Sequence, residues 1–322
     1  MTYRVAVLGA GLIGASPVRS ALGVQSHAAA WKAHRGAELV AICDAEPDRL
    51  AAAQATWGVS AGFTDPGELL RTVAPDIVSI CTPDATHAAM LRAALETDSV
   101  TAILAEKPLT LDLVEGHRLV DFANQRGVML GVNYGRRSTP SHRRVRDWLE
   151  NRPLGDLEIV RGVYVRGIKH NGTHWLDLAR FLVGEITEIH GIGRTTSWQT
   201  DGTIDVALTF ENGARGELIG LKDASYALFE MDLIGTEGRL QLLDSGRRFE
   251  SRAVVPSSGP VSPKCSASVV ATSSPAPRPR PLTTTCTPWV VESVSPMFSA
   301  GTLTWAARSP RTRSRRSSIA SK

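Results

Sequence analysis

The chain has 322 residues, a length that suggests two domains, each with its own core. Hydrophobic residues make up 43% and charged residues 21%, which is typical of a soluble globular protein. No apolar run approaches the roughly 20 residues of a membrane span, and residues 1–8 enter an apolar strand without a signal-peptide pattern. Four cysteines without a CxxC pair argue against a disulfide scaffold or zinc ribbon. We therefore expect a cytoplasmic protein without a membrane partner.

The charge is distributed unevenly along the chain. The net charge is +4, but residues 251–322 hold eight Arg, two Lys and one Glu, which is +9 and leaves −5 for residues 1–250. The basic segment also holds ten of the eighteen prolines and shows no sustained apolar periodicity, so we expect it to be disordered. A solvated tail is favoured over a nucleic-acid or membrane-surface arm, and we predict no nucleic-acid partner.

A glycine-rich turn follows the first predicted strand. Residues 4–8, which are apolar after Arg4, lead directly into GAGLIG at residues 9–14. In a GxGxxG turn the first glycine permits the tight turn, the second admits a pyrophosphate and the third allows close helix packing. We assign the turn to cofactor binding through Gly9, Gly11, Leu12, Ile13 and Gly14.

A carboxylate ends the second predicted strand. Residues 38–43 are predicted as a strand, apolar after Glu38, and are followed by Asp44, which is placed to accept both ribose hydroxyls of NAD. No Arg follows it directly to meet a 2′-phosphate, so the sequence favours NAD over NADP. The spacing implies an extended first crossover through residues 27–35. The alternative is that Asp44 only caps a helix over residues 47–56.

Three further strands are predicted, at residues 76–81, 100–105 and 128–132, with helices between them. This alternation predicts a parallel, doubly wound α/β sheet, whose ligands bind at the carboxyl ends of the strands. Polar motifs lie at each of those ends: Thr82-Pro83 with His87, Glu106-Lys107-Pro108, and Asn133-Tyr134.

Together these motifs resemble the Gfo/Idh/MocA oxidoreductases, the family of glucose-fructose oxidoreductase and inositol dehydrogenase. The resemblance covers about residues 3–245 and continues in GTHWLDL at 172–178 and LIGTEG at 233–238. It implies an NAD-binding Rossmann domain followed by an α+β domain built on a large, mostly antiparallel sheet. That sheet would carry a sugar-like substrate on one face and often a subunit interface on the other, in a homodimer or homotetramer.

The second half independently favours this architecture. Alternating apolar residues predict a strand at 157–165, a hairpin of 204–210 with 214–221, and a further pair at 229–234 and 239–243. An amphipathic helix is predicted at 173–183. We therefore divide the chain into a Rossmann domain (1–133), a substrate and oligomerisation domain (134–250) and a disordered tail (251–322).

The second domain is expected to be incomplete. The family continues beyond the GTEG strand with more sheet and a C-terminal helix, and nothing in residues 251–322 matches that pattern. We hypothesise that the tail is an out-of-frame reading of a G+C-rich gene or the remnant of a truncated product.

The resemblance assigns a catalytic lysine. Hydride transfer to or from a secondary alcohol needs a group that exchanges the hydroxyl proton. Family members place the Lys of the Glu-Lys-Pro motif near the reacting carbon, which implies Lys107, with Glu106 holding the lysine or contacting the cofactor. The alternative is a surface lysine without a role. The resemblance adds to the cofactor set Thr82, Pro83, His87, Glu106 and Lys107.

The candidate substrate groups follow the same resemblance. His174 matches the family's substrate-domain histidine, and imidazole suits proton transfer near neutral pH. His170 stands where inositol-dehydrogenase-like members commonly have Asp, so their Asp–His relay cannot be carried over. A polar loop residue is the alternative for His170. The predicted substrate-binding residues are Tyr134, Arg136, His170, Asn171 and Asp177.

Two of these assignments keep open alternatives. Asp177 is as readily structural as substrate-binding, and Arg136 suits either a phosphorylated or carboxylated sugar or a surface salt bridge. No His, Asp or Glu cluster has metal-ligand spacing, so we predict no metal. The leading function is an NAD-dependent dehydrogenase or ketoreductase acting on a sugar, cyclitol or nucleotide-sugar. The rival is a catalytically silent NAD-binding sensor or an inactive truncated homologue.

Overall fold

The computed structural model divides the chain into two compact units, Met1–Asn133 and a second that begins at Tyr134. Within the described residues, no helix is both long and apolar enough to cross a membrane. Side chains are described up to residue 253, and only the backbone is described beyond it. The described residues are 2–17, 26–192, 201–221, 226, 228–255 and 265–272.

The first unit is built on a six-stranded parallel sheet, which confirms the predicted Rossmann fold. The strand order is β3-β2-β1-β4-β5-β6, the order of a dinucleotide-binding sheet. β1, β4 and β5 are buried along most of their length and rich in Val, Ile and Leu, as central parallel strands must be. The strands are β1 (Tyr3–Leu8), β2 (Ala37–Cys43), β3 (Ala61–Phe63), β4 (Ile77–Ile80), β5 (Ala102–Ala105) and β6 (Met129–Val132).

Helices connect these strands and begin at recognisable sequence signals. Asp65 and Asp112 each accept a hydrogen bond from a backbone N–H of the first helical turn, in front of α4 and α6. The helices of this unit are α1 (Leu12–Ala15), α2 (His27–Ala33), α3 (Pro47–Trp57), α4 (Pro66–Val73), α5 (His87–Leu95) and α6 (Leu113–Arg126).

The first crossover contains two separate helices. α1 ends at Ala15, because Ser16 adopts an extended conformation, and α2 begins after Ser26, whose hydroxyl accepts a hydrogen bond from Ala29 N. The predicted extended crossover therefore contains a helix over most of its predicted range. Residues 18–25 lie outside the described part of the chain.

The second unit is built on an eight-stranded sheet in the order β14-β13-β12-β11-β7-β10-β9-β8. β10 and β7 are parallel and every other pair is antiparallel, which confirms the predicted mostly antiparallel sheet. The strands are β7 (Leu157–Val165), β8 (Ile186–Ile192), β9 (Asp205–Phe210), β10 (Arg215–Leu221), β11 (Phe229–Gly235), β12 (Gly238–Leu243), β13 (Arg248–Val255) and β14 (Cys265–Thr272).

Two helices, α7 (Pro140–Glu150) and α8 (Thr173–Val183), pack against the core of the second unit. Trp175 is fully buried, and its indole N–H donates to the Glu230 carbonyl at 2.9 Å. The ring occupies the space beside Gly162, where an added Cβ would overlap it. α8 is thereby fixed against β7 and β11, and so are the residues at its N-terminal end.

The sheet continues into the segment that the sequence predicts to be disordered. β13 runs to Val255, and β14 pairs with it along its whole length from Cys265 to Thr272. The prediction of disorder from residue 251 onward is therefore wrong for these two segments. β14 has the sequence CSASVVAT, whose β-branched residues favour a strand. Residues 256–264 and 273–322 lie outside the described residues.

Candidate functional site

The glycine turn after β1 is too crowded for side chains at two of its three glycines. Gly9 has φ of +95°, and an added Cβ would lie 2.6 Å from the Cys81 carbonyl. An added Cβ at Gly14 would overlap the Gly9 carbonyl oxygen, whereas at Gly11 it would meet nothing within 4 Å. Gly9 and Gly14 therefore shape the turn, and Gly11 faces open space into which a ligand fits.

Two further features of this edge fit a bound ligand. Leu12 and Ile13 expose 67% and 42% of their surface although both are large and apolar. The buried Thr82 hydroxyl, just beyond β4, has no hydrogen-bond partner among the described residues. A buried polar atom without a partner costs free energy unless a ligand or water completes it. The turn, the apolar pair and this hydroxyl fit a dinucleotide.

Asp44 lies at the end of β2 and is almost fully buried. Its Oδ2 accepts a hydrogen bond from Ala10 N at 2.7 Å, and its Oδ1 accepts one from Glu46 N at 2.9 Å. The Glu46 bond lies directly in front of α3, whose N-cap residue Glu46 makes no side-chain cap bond of its own. The carboxylate therefore ties the end of β2 both to the glycine turn and to the start of α3.

Arg49 is a neighbour of Asp44 that the sequence analysis missed. Its Nη1 lies 3.1 Å and 3.3 Å from the two Asp44 oxygens, although the Arg49 side chain is half exposed. No arginine directly follows Asp44, as the sequence analysis states, but Arg49 comes within hydrogen-bond distance of it from the first turn of α3. Arg49 lies five residues after Asp44, in the first turn of α3, and so beyond the residues that directly follow Asp44.

His87 connects two loops instead of facing the cofactor. It is fully buried, its Nε2 lies 2.8 Å from the Thr82 carbonyl oxygen and its Nδ1 lies 2.6 Å from the Pro108 carbonyl oxygen. Both ring nitrogens are occupied, so no edge of the ring is left for a cofactor. We correct its assignment: His87 joins the loop after β4 to the loop that carries Lys107.

Glu106 directly precedes Lys107 in the chain, and its side chain points into the interior of the first unit. Its side chain is 16% exposed, and its Oε1 accepts hydrogen bonds from Asn133 Nδ2 at 2.7 Å and from His27 Nε2 at 3.1 Å. The carboxylate also accepts a hydrogen bond from the backbone N–H of Lys107. Burial raises the pKa of Glu106, but these bonds outweigh it and hold the pKa below its ordinary value.

His27 is a buried residue to which the sequence analysis gave no role. It is fully buried at the start of α2, and its Nδ1 lies 3.1 Å from the Ser79 hydroxyl. The sequence places it 79 residues before Glu106 in a crossover of unusual length, so no local pattern pairs the two. The only available signal was a histidine beside the apolar run Ala28–Trp31, which indicates burial.

In the second unit, Tyr134 and His174 are brought together. Their rings meet edge to face with centroids 5.6 Å apart, and both side chains are half-buried. The Tyr134 hydroxyl also bonds to Thr173. Burial and the Asp177 charge raise the pKa of Tyr134, so its hydroxyl keeps its proton and serves as a donor.

Asp177 forms an ion pair with Arg137. Arg137 Nε lies 2.7 Å from both carboxylate oxygens, and Arg137 Nη2 donates to the Asp177 carbonyl at 3.1 Å. Burial raises the pKa of Asp177 more than the neighbouring arginines lower it. The geometry supports the structural alternative for Asp177, because its carboxylate is already bound on both oxygens.

Arg136 lies beside this pair but is not part of it. Its guanidinium stacks on the Phe229 ring, 3.7 Å from the centroid. It makes no hydrogen bond or ion pair within the described ranges, and burial lowers its pKa to about 10. A partly buried cation without an acceptor is costly, so the arrangement suits an anionic ligand.

His170 and Asn171 lie in a single π-helical turn, Ile168–Gly172, that runs directly into α8. The Asp201 carboxylate accepts the backbone N–H groups of Lys169 and His170, both at 2.7 Å. The His170 side chain is exposed and Asn171 is half-buried. π-helical turns within helices occur frequently at functional sites. No three metal-ligating side chains cluster in the residues for which the structure gives positions.

The fold and the glycine turn define the class: the first unit is the NAD-binding Rossmann domain of an oxidoreductase. A sequence model of the oxidoreductase family with an NAD-binding Rossmann fold matches residues 3–134. A model of the GFO/IDH/MocA C-terminal domain matches residues 166–241. The chain belongs to the Gfo/Idh/MocA family, as the sequence motifs predicted.

Several named proteins are similar to the chain in sequence, and solved structures are similar to it in fold. The chain is 31% identical to a scyllo-inositol 2-dehydrogenase (NAD(+)) of Bacillus subtilis, over 64% of this chain and 66% of that protein. It is 27% identical to a myo-inositol 2-dehydrogenase of Thermotoga maritima, over 74% of each chain. A levoglucosan dehydrogenase in complex with NADH and L-sorbose has the same fold, with a TM-score of 0.73 at 19% identity over 92% of this chain and 88% of that one.

The chain matches only part of the length of such relatives. It spans 66% of the Bacillus subtilis enzyme and 64% of a D-apiose dehydrogenase of Paraburkholderia graminis, to which it is 29% identical over 68% of its own length. The family and the cofactor domain are therefore shown, and the activity of this chain is a proposal.

Proposed function

We propose that the protein is an NAD-dependent dehydrogenase that acts on a CH–OH group of a sugar, cyclitol or nucleotide-sugar. One observation carries the proposal: the glycine turn, the unpartnered Thr82 hydroxyl and Lys107 follow β1, β4 and β5, which are neighbours in the parallel sheet. Their carboxyl ends form one edge, which is where ligands of such sheets bind.

The cofactor residues act by shape and hydrogen bonding. Gly9 and Gly14 hold the turn, and Gly11 leaves room for the diphosphate, with Leu12 and Ile13 covering it. Thr82 and Pro83 border the site, and the Thr82 hydroxyl gains its missing partner there. Asp44 accepts ribose hydroxyls after the exposed Arg49 side chain moves aside. The nicotinamide, when bound, accepts or donates the hydride.

In this proposal, Lys107 stabilises charge on the substrate oxygen and His174 exchanges its proton. In the oxidation direction the substrate loses a hydride from carbon and a proton from its hydroxyl group, and the proton must pass to a protein group or water. The Lys107 ammonium donates a hydrogen bond to this oxygen and stabilises developing negative charge. The His174 imidazole receives or returns the proton, supported at its edge by the Tyr134 ring.

The remaining groups recognise the substrate. Tyr134 and Asn171 donate hydrogen bonds to substrate hydroxyls, and His170 contacts the substrate from the exposed side of the π-helical turn. Arg136 binds an anionic substituent, because its guanidinium stacks on the Phe229 ring and makes no hydrogen bond or ion pair with the described residues. Asp177 contributes indirectly, by holding Arg137.

Asp44 sets the choice of NAD. Its carboxylate repels a 2′-phosphate, and only the half-exposed Arg49 offsets that charge. Exchanging Asp44 for Ser leaves Arg49 to meet the phosphate. We expect Asp44→Ser to raise the Kd of NAD about 10- to 100-fold, the value of one or two charge-assisted hydrogen bonds, and to lower the Kd of NADP. Calorimetry with both cofactors checks this, and an unchanged preference would contradict the assignment.

The open face of the second sheet pairs two copies of the chain. α7 and α8 pack on the core side of the sheet, while Ile192 and Ile219, which pair with Asp205 and Val163 on the opposite face, are exposed. A homodimer or homotetramer buries such a face. Light scattering on the purified protein checks this, and a monomer at micromolar concentration would contradict it. We also propose a cytoplasmic location, because the four cysteines form no CxxC pair, and cell fractionation tests this.

Binding and turnover together test the proposed function. Calorimetry with NAD comes first, followed by a screen of cyclitols, sugars and nucleotide-sugars at the absorbance band of NADH. We expect NAD binding and NADH formation with at least one polyol of these classes. A folded protein that binds no NAD would contradict the proposal.

The same screen decides the rival function, a silent NAD-binding sensor. His170 favours this rival, because the histidine replaces the aspartate that inositol-type members commonly have. NAD binding without turnover over the whole screen would favour the sensor. His170→Asp then asks whether the missing carboxylate alone accounts for the silence.

A further inference from the structure

A chain of hydrogen bonds crosses the interior of the first unit from Trp31 to Lys107. Trp31 Nε1 donates to Ser79 Oγ at 2.7 Å, and Ser79 Oγ lies 3.1 Å from His27 Nδ1. His27 Nε2 lies 3.1 Å from Glu106 Oε1. The Trp31, Ser79 and His27 side chains are all fully or almost fully buried. Water therefore does not compete for these bonds, and their direction is fixed by the groups themselves.

The chemistry of the groups determines which nitrogen of His27 faces Glu106 with a proton. An indole N–H only donates, so Ser79 Oγ accepts from Trp31. A neutral imidazole that accepts the Ser79 O–H at Nδ1 carries its proton at Nε2, and an imidazolium carries protons on both nitrogens. In both states Nε2–H donates to the Glu106 carboxylate. The tautomer with its proton on Nδ1 alone would leave Glu106 facing a lone pair.

The Glu106 carboxylate transmits this restraint to the loop. It accepts from His27 and Asn133 on the interior side, and it accepts the backbone N–H of Lys107. The Lys107 backbone is thus bonded to an anion that is itself fixed by two buried donors. If the carboxylate rotates or takes up a proton, the bond to Lys107 N–H weakens.

The charged groups around His27 support an anionic Glu106. His27 faces Glu106 and the thiol of Cys81, and Asn133 and Ser79 complete its polar surroundings. Burial lowers the pKa of His27, but Cys81 and Glu106 together outweigh it and raise the pKa to about 10. Burial raises the pKa of Cys81 by more than the neighbouring His27 charge lowers it.

We propose that His27 is a positioning residue that fixes the orientation of the loop carrying Lys107, acting through the Glu106 carboxylate. The proposal rests on the catalytic assignment of Lys107 made above. His27 touches neither the cofactor turn nor the substrate groups in this account. Its effect is on the orientation of the loop and on the pH range in which Glu106 remains a carboxylate.

A matched pair of variants separates positioning from packing. The amide nitrogen of Gln reaches about the place of an imidazole Nε2, so His27→Gln keeps a donor for Glu106. The shorter Asn in His27→Asn reaches only the Nδ1 place. We expect His27→Asn to lower kcat about 10- to 100-fold, as for a misplaced catalytic group. We expect His27→Gln to stay within about threefold of the wild type, and the Kd of NAD to change little in both.

The pH profile gives a readout that packing does not move. Losing a donor or a neighbouring positive charge raises the pKa of a carboxylate. The acid limb of kcat therefore shifts to higher pH in His27→Asn, which loses both, and shifts by less in His27→Gln, which loses only the imidazolium charge. A folded His27→Asn with wild-type kcat and an unmoved acid limb would overturn the proposal. Equal losses in the two variants would also overturn it, because they would indicate a packing defect.

A measurement on the unaltered protein covers the case in which His27→Asn does not fold or no substrate is found. Nitrogen-15 shifts of the histidine rings between pH 5 and 9, with His27 assigned through His27→Gln, report the tautomer directly. We expect a proton on Nε2 over the whole range, whether or not turnover is found. A neutral ring protonated at Nδ1 overturns the proposal, whereas wild-type turnover in Lys107→Ala would overturn only the catalytic assignment on which it rests.

Discussion

The two units differ in how their buried polar groups are completed. Around Lys107 the partners are already in place: Glu106 has three donors and both nitrogens of His87 have carbonyl partners. In the second unit, the Arg136 guanidinium stacks on the Phe229 ring and has no acceptor among the described residues, and the Tyr134–His174 pair is half-buried. The difference teaches that the cofactor side is built in advance except at the Thr82 hydroxyl, while Arg136 on the substrate side is left for a ligand to complete.

On the prebuilt cofactor side, the largest expected loss of stability comes from substituting Gly14. Gly14→Ala forces a Cβ onto the Gly9 carbonyl, and we expect it to destabilise the first unit by about 3 kcal/mol or more, as overpacked positions do at their worst. Urea unfolding measures this loss, and calorimetry should show no NAD binding.

Gly11→Ala is the matched control. Its Cβ meets nothing within 4 Å of the protein, so the unfolding free energy should stay within about 0.5 kcal/mol of the wild type, as for unconstrained surface changes. NAD binding should nevertheless weaken at least tenfold, because the methyl group occupies the space reserved for the diphosphate. Unchanged NAD affinity in Gly11→Ala would show that the diphosphate lies elsewhere.

In the second unit the largest expected effect is at Asp177. Asp177→Asn leaves Arg137 without its carboxylate in a place where both side chains are mostly buried. Breaking such a pair costs about 2–4 kcal/mol, which urea unfolding measures. The double variant Arg137→Met with Asp177→Leu should recover part of the loss. A fully stable Asp177→Asn would return Asp177 to the substrate-binding residues.

The prebuilt side should also show a distinctive pH dependence. The folded-state pKa of His27 is raised to about 10 from 6.5, so its stabilising contribution is complete below pH 6.5 and is lost as the pH rises through about 10. The difference in unfolding free energy between the wild type and His27→Gln should therefore shrink from pH 6 to pH 10. Constant-temperature urea titrations measure it, and a difference that grows with pH would contradict the raised pKa.

In the second unit the smallest effect on stability is expected at Arg136. Arg136→Met removes a desolvated charge and a stacking contact worth about 1 kcal/mol, so the unfolding free energy should change by less than about 1 kcal/mol. KM for carboxylated or phosphorylated substrates should rise at least tenfold, while KM for neutral polyols should not change. Equal changes for both substrate types would show that Arg136 does not distinguish charge.

The sequence predicted the parts of the fold that local patterns determine. The central strands of both sheets and helix α8 follow from apolar periodicity, and the glycine turn follows from a motif whose steric reason is visible at Gly9. β3 and β8 were missed, because three residues are too few for a pattern and an exposed edge strand lacks alternating burial. β14 was missed because composition was averaged over the whole tail.

The site was predicted less completely, because its partners come from distant parts of the chain. Arg49 was missed because it stands five residues after Asp44, beyond the residues that directly follow this carboxylate. His27 pairs with Glu106, which follows it by 79 residues in the chain. The buried His87 ring bonds to backbone carbonyls of two different loops. Such pairings depend on strand order, which motifs and spacing do not contain.

The central claim is that Lys107, held by Glu106, handles the reacting oxygen. The most direct measurement is kcat for the wild type and Lys107→Ala on a substrate found in the NADH screen, with the Kd of NAD measured for both by calorimetry. We predict a fall in kcat of at least about a thousandfold, as when a developing charge loses its stabilising donor, with NAD affinity unchanged within about tenfold. Wild-type kcat in Lys107→Ala would contradict the account.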